Sequence, residues 1–105
     1  MISISTHVLD VATGQPAGGI DVKLESPVEG KWVTLGAGTT DSDGRVDELG
    51  SGLGPGHYRL RFDTGDHGSG FFPEVALTCN LDDTRAHYHL PLLLSPFGYT
   101  TYRGS

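Results

Sequence analysis

The sequence predicts an all-β domain, a sandwich or a barrel, and three observations predict it. Apolar and polar residues alternate through one segment after another. Turn-forming Gly, Pro, Asp and Thr separate those segments. Glycine is the commonest residue, with 16 copies beside 6 prolines. Alternation sends successive side chains to opposite faces of a strand, so one face meets a core and the other meets water. The glycine load suits many short strands joined by turns better than long helices. No segment sustains a helical period, and no internal repeat or linker interrupts the chain.

Each element follows in order. Ile2-Ser3-Ile4-Ser5 opens the first strand, and Ala12-Thr13-Gly14-Gln15-Pro16 makes a turn. Ile20 to Glu25 alternates cleanly, as a strand with one wet face does. Lys31 to Leu35 is the next strand. Asp41-Ser42-Asp43-Gly44 then turns into a short strand at Arg45–Leu49, because Asp bonds its own backbone and Gly takes positive φ. Gly50 to Gly56 reads as a mobile surface loop. It lacks the helix start and Lys that a phosphate cradle needs. His57 to Phe62 alternates again, Asp63-Thr64-Gly65 turns, and Phe71 to Leu81 is a longer β-rich run. Ala86 to Leu93 and Tyr99 to Tyr102 close the chain. Strands spaced by about 8–12 residues are the spacing of a sandwich or barrel.

Size and charge bound the function. The 105 residues make one domain, 1–105, with one modest core. A chain this short buries only about two thirds of its unfolded surface, so further burial comes from self-association. The net charge is −6, from 7 basic and 13 acidic residues, and no run of Lys or Arg offers a nucleic-acid footprint. The acidic residues sit in turns such as Asp41–Asp43 and Asp82–Asp83. A small anionic substrate stays compatible, because locally placed Arg outweighs the global sign. No apolar stretch approaches the ~20 residues of a spanning helix, so no membrane partner is expected. Cys79 is the lone cysteine, which precludes an intramolecular disulfide and reads as a buried structural thiol. With no secretory start and no peroxisomal ending, a reducing cytoplasm is the expected compartment.

Three polar clusters carry the chemistry: Thr6-His7-Val8-Leu9-Asp10, Asp43-Gly44-Arg45, and the tail from His87 to Ser105. His87 and His89 lie two apart on a strand and therefore share a face. With His7 they suit either zinc, as three ligands plus water, or a metal-free site with neutral His as general base. Arg45 and Arg103 offer forked donors to an anion or a polarised carbonyl. Chain ends usually fray, yet this one keeps Tyr99, Tyr102 and Arg103 to its last residues, either as a last strand packing its aromatics or as a terminus that lines a site.

The tail resembles the signature of the 5-hydroxyisourate hydrolases, transthyretin-related enzymes that end in Tyr-Arg-Gly-Ser. Tyr102-Arg103-Gly104-Ser105 matches that ending, and His89-Leu90-Pro91-Leu92-Leu93 with Ser95-Pro96 matches the segment before it. Thr6-His7-Val8-Leu9-Asp10 and Thr40-Asp41-Ser42-Asp43-Gly44-Arg45 are similar to the family's N-terminal and central motifs. Tyr58-Arg59-Leu60, Phe62-Asp63-Thr64-Gly65 and Phe72-Pro73-Glu74-Val75 also fit, so the resemblance spans nearly the whole chain. It implies a prealbumin-like sandwich of two four-stranded sheets, and a homotetramer with sites at the dimer–dimer interface. It further implies hydrolysis of a ring amide of 5-hydroxyisourate without metal or cofactor. It assigns catalysis to His7, Arg45 and His89, and substrate contacts to Tyr102, Arg103 and Ser105. His87 is a supporting candidate; His57 and His67 match no catalytic motif and are expected on the surface or in loops. The family's short helix after the fifth strand has no room in Asp63 to Phe71, which reads as a trimmed loop.

Three rival readings remain at this point. A transthyretin-type carrier shares the fold but lacks the His, Arg and Tyr-Arg-Gly-Ser set. A zinc hydrolase would use His7, His87 and His89. A purely structural sandwich would leave the polar terminus without a role.

Overall fold

The computed structural model describes all 105 residues, as nine strands and no helix. The strands are β1 (Ile2–Asp10), β2 (Gln15–Pro16), β3 (Asp21–Val28), β4 (Lys31–Thr39), β5 (Arg45–Leu53), β6 (Gly56–Asp63), β7 (Glu74–Leu81), β8 (His87–Ser95) and β9 (Gly98–Thr101). One sheet has the order β4-β3-β6-β7, antiparallel throughout. The other runs β2-β1-β8-β9, with β5 also on β1. β8 occupies one edge of β1 from Ser3 to Asp10. β5 pairs with Ile2 to His7, and β2 with Leu9 and Asp10, so these two share the opposite edge in succession. The second sheet is therefore four strands wide with a split edge strand. This is the two-sheet prealbumin-like sandwich expected from the sequence.

The core lies between the sheets. Ile4, Val8, Val22, Leu24, Leu60, Phe62, Val75 and Leu92 are all essentially inaccessible. They come from the inward positions of alternating strands, and each such side chain stabilises the fold by about 1.5–3 kcal/mol on burial. Cys79 is half-buried against this core, and burial pushes its thiol pKa up, which keeps it unreactive.

Two boundaries differ from expectation. The glycine-rich stretch after Leu49 is not a free loop: β5 continues through Leu53, which is buried. Pairing with β1 continues through two register shifts that absorb the irregular sequence. A Cβ on Gly50 would lie 2.3 Å from Cδ2 of Leu24 on the facing sheet, so glycine here allows the sheets to close. Only Gly54 and Pro55 connect β5 to β6, and the Tyr58 hydroxyl donates to Gly54 O at 2.7 Å. The run expected from Phe71 is extended strand only from Glu74.

The segment Asp63 to Phe71 forms turns, without a helix, as its length and glycines imply. Side chains tie it down. The buried Thr64 hydroxyl donates to Phe72 O, and Ser69 to Pro96 O. His67 Nε2 lies 2.8 Å from the Asp10 carboxylate. His67 thus has a structural partner that sequence reading did not supply. His57 is exposed on β6, as expected.

Candidate active site

β1, β5 and β8 lie side by side, and their outward positions bring the candidate residues onto one face. Ser3, Ser5 and His7 alternate along β1, and His87 and His89 along β8. Parallel pairing sets Ser3 opposite His87 and Ser5 opposite His89. On the other edge of β1, His7 is paired with Arg45. Residues 38 to 84 positions apart in sequence are neighbours here solely through register.

The turn before β5 is built to hold its place. The Asp41 carboxylate accepts from the N–H groups of Asp43 and Arg45, both at 2.9 Å. Gly44 N–H donates to Asp41 O at 2.9 Å. Gly44 has φ +75°, and a Cβ there would lie 2.3 Å from Val8 O, so glycine permits both the turn and its contact with β1. Val8 N–H donates to Gly44 O at 2.7 Å. This clamp delivers Asp43 O to His7 Nε2 at 2.8 Å. A carbonyl only accepts, so His7 carries its proton on Nε2, and neutral His7 keeps its lone pair on Nδ1.

His89 is half-buried, with Nδ1 2.7 Å from Ser5 Oγ. Burial first, then the nearby Arg45, His7 and His87, hold its pKa below the usual 6.5; Asp47 opposes them. The imidazole is thereby kept neutral near pH 7, with Nε2 free of any protein partner. His87 is exposed and bonded at both nitrogens, to Ser3 Oγ at 2.6 Å and Ser5 Oγ at 2.8 Å. No three His, Cys, Asp or Glu side chains converge as metal ligands would.

The tail returns to this face at one point. Gly104 N–H donates to His89 O at 2.7 Å, forming an isolated bridge. A Cβ on Gly104 would lie 2.8 Å from His89 Cδ2, so glycine lets the backbone pass flat beside the ring. Tyr102 and Ser105 are exposed on either side. Arg103 lines a groove with His89, Tyr88, Leu90 and Asp82. Hydrogen bonds from Thr84 hold the Asp82 carboxyl below its usual range, with further help from Tyr88 and the Arg103 charge. The structure thus gathers His7, Arg45, His89 and the Gly104 backbone, while Arg103 lines a groove with His89 and Asp82.

Ser3, Ser5 and the Asp43 carbonyl are the site components that sequence reading missed. The serines were visible as the polar half of Ile2-Ser3-Ile4-Ser5, a pattern that reads equally as a solvent-facing strand.

The chain matches the HIUase/Transthyretin family over residues 4–104. It is 44% identical over 109 residues to a 5-hydroxyisourate hydrolase of Salmonella typhimurium, covering 97% of this chain and 80% of that protein. Its fold is similar to the solved structure of Klebsiella pneumoniae 5-hydroxyisourate hydrolase, with TM-score 0.83, 34% identity and full coverage of both chains. It is also similar to sea bream transthyretin in complex with thyroxine, with TM-score 0.87 and 31% identity, over 96% of this chain and 93% of that one.

Proposed function

The chain belongs to the HIUase/Transthyretin family, and on that premise we propose that it is a 5-hydroxyisourate hydrolase. It opens a ring amide of 5-hydroxyisourate, the product of urate oxidase, to give 2-oxo-4-hydroxy-4-carboxy-5-ureidoimidazoline. One observation carries the reading: two imidazoles on one face each have one nitrogen anchored by the protein, beside a guanidinium. Amide hydrolysis needs that set. Neutral water attacks an amide poorly, so a base must take its proton as the bond forms.

His89 Nε2 takes that proton, and its depressed pKa keeps it unprotonated and ready. His7 Nδ1 accepts the second water hydrogen and aims the oxygen's lone pair at the carbonyl. Arg45 orients the heterocycle and stabilises the oxyanion that develops. His89 then returns the proton to the departing ring nitrogen. Tyr102, Arg103 and Ser105 supply contacts to the substrate from the tail. No metal or cofactor takes part in these steps.

The working assembly is a homotetramer with the outer face of the β1–β8 sheet at the dimer–dimer interface. Support comes from the exposed Tyr99, Tyr102 and Phe97 and from β7 and β9, each with an unpaired edge. The cytoplasm is the proposed compartment, consistent with an unpaired Cys79.

The thyroxine-bound relative favours one second reading, a carrier of small aromatic ligands on the same scaffold. A coupled assay decides between them. Urate oxidase generates 5-hydroxyisourate in place, and its decay is followed by ultraviolet absorbance and circular dichroism with chelator present. The hydrolase accelerates decay and yields an optically active product. Spontaneous-rate decay to a racemate, from folded protein, would leave the carrier.

A further inference from the structure

A continuous hydrogen-bonded series runs along the outer face of β1 and β8. Ser3 Oγ lies 2.6 Å from His87 Nδ1, His87 Nε2 lies 2.8 Å from Ser5 Oγ, and Ser5 Oγ lies 2.7 Å from His89 Nδ1. Ser3 Oγ reaches Ala86 O at 3.5 Å. The series starts at half-buried His89, crosses a serine that is 7% accessible, and reaches an exposed imidazole with Ser3 beyond it. The proposed chemistry uses only its inner end.

Each member both donates and accepts, so the series has two complete polarities. In the first, His89 Nδ1–H donates to Ser5, Ser5 donates to His87 Nε2, and His87 Nδ1–H donates to Ser3. His89 then offers a lone pair at Nε2. In the second, every bond is reversed and His89 carries its proton on Nε2.

We propose that Ser5 and His87 form a proton relay that carries charge from His89 to the surface and back within each turnover. The inference rests on His89 being the base. When Nε2 takes a proton from water, His89 Nδ1 releases its own to Ser5. Ser5 passes its proton to His87 Nε2, His87 releases its Nδ1 proton to Ser3 Oγ, and a proton leaves Ser3 to solvent while its hydroxyl turns to donate to Nδ1. This gives the second polarity. When the tetrahedral intermediate collapses, the C–N bond breaks and Nε2–H protonates the departing nitrogen. His89 Nδ1 then recovers a proton from Ser5, Ser5 from His87, His87 from Ser3, and Ser3 from solvent, restoring the first polarity. One water hydrogen ends on the departing nitrogen and the other on the new carboxyl group, so the cycle balances without a ring flip.

The electrostatics give the relay its purpose. Arg45, His7, His87 and Asp47 surround His89, and three of these four disfavour an imidazolium there. A static charge on His89 would raise the energy of the intermediate. Passing the excess proton out through exposed His87 delivers the charge to water, where it is screened. Ser5 and His87 are thus positioning and relay residues, acting through His89.

The test compares His89→Ala, Ser5→Ala and His87→Ala in the coupled assay at low buffer concentration. His87→Ala is expected to lower kcat about tenfold, a fraction of the effect of losing a base, with KM little changed. Added imidazole, reaching the vacated exposed position, restores the rate. A proton inventory in mixed light and heavy water curves for the wild type and straightens for Ser5→Ala. The relay is overturned if kcat of both variants stays within about twofold of wild type, or if their loss resists imidazole and leaves the inventory unchanged. His89→Ala separates the two readings. If it is inactive while His87→Ala is normal, only the relay fails; if it is active, the base assignment fails as well.

Discussion

His7 and His67 each hold Nε2 2.8 Å from an oxygen, and both contacts lie toward the C-terminal end of β1. His7 meets a backbone carbonyl, and His67 meets the Asp10 carboxylate. The carbonyl carries no net charge and only accepts, so it sets the tautomer of His7 and leaves Nδ1 available for chemistry. The carboxylate accepts from His67 Nε2 and so fastens the trimmed β6–β7 connection to the end of β1. One distance therefore serves the candidate site and a structural tie. The charge of the partner, not the histidine or its geometry, makes the difference.

The comparison breaks most visibly in turnover. His89→Ala and Arg45→Ala should each lower kcat/KM by at least about a hundredfold, the scale for losing a base or an oxyanion donor. Near-normal rates in both, with folding unchanged by circular dichroism, would dismantle the site. At the tail, Gly104→Ala should cost about tenfold, because the new Cβ pushes on His89 Cδ2 from 2.8 Å and displaces the base. Residues appended after Ser105 should also impair turnover. A fully active tagged enzyme would show that the terminus lies outside the pocket.

Titration sharpens the contrast next. Nuclear magnetic resonance of the His89 ring should give a pKa below 6.5, rising in Arg45→Gln and falling further in Asp47→Asn. The acid limb of kcat/KM should lie below pH 6.5 accordingly. Both depressed groups make the fold less stable on acidification, in different windows. For His89 the native state binds fewer protons than the unfolded chain, so its contribution is complete above pH 6.5 and is lost as pH falls through the depressed value. Burial raises the Asp10 pKa, but the bond to His67 and the N–H groups of Thr13 and Ala12 outweigh it and hold it below 3.8. Its contribution is present above pH 3.8 and disappears only in stronger acid. Urea denaturation across pH 3 to 8 should show two separate declines, and a flat profile near pH 6 would contradict the first.

The smallest effect belongs to the structural end. His67→Ala should lower stability by no more than about 1 kcal/mol, the range of a partly exposed ion pair, with turnover unchanged. A large loss of activity would show that this connection supports the site.

The local features of this molecule were legible from the residues. Alternation located the strands, and Asp41-Ser42-Asp43-Gly44 announced its turn, because strand faces and turn dihedrals depend on near neighbours. The shared face of His87 and His89 followed from their spacing of two. The short length and glycines of Asp63 to Phe71 also foretold that it holds no helix. Register lay beyond the sequence. Nothing local says that β1 runs parallel to β8, which sets Ser5 between the rings of His87 and His89 and Ser3 on the far side of His87. Nothing local carries β5 through Gly50 to Leu53 or sets Arg103 in one groove with His89 and Asp82. Those arrangements come from packing two sheets over one core, where burial rewards a pairing between residues more than 80 positions apart. The sequence alone determined the fold class and the residue types able to do the chemistry. Tertiary structure alone decided which of their nitrogens are held and which are left free to react.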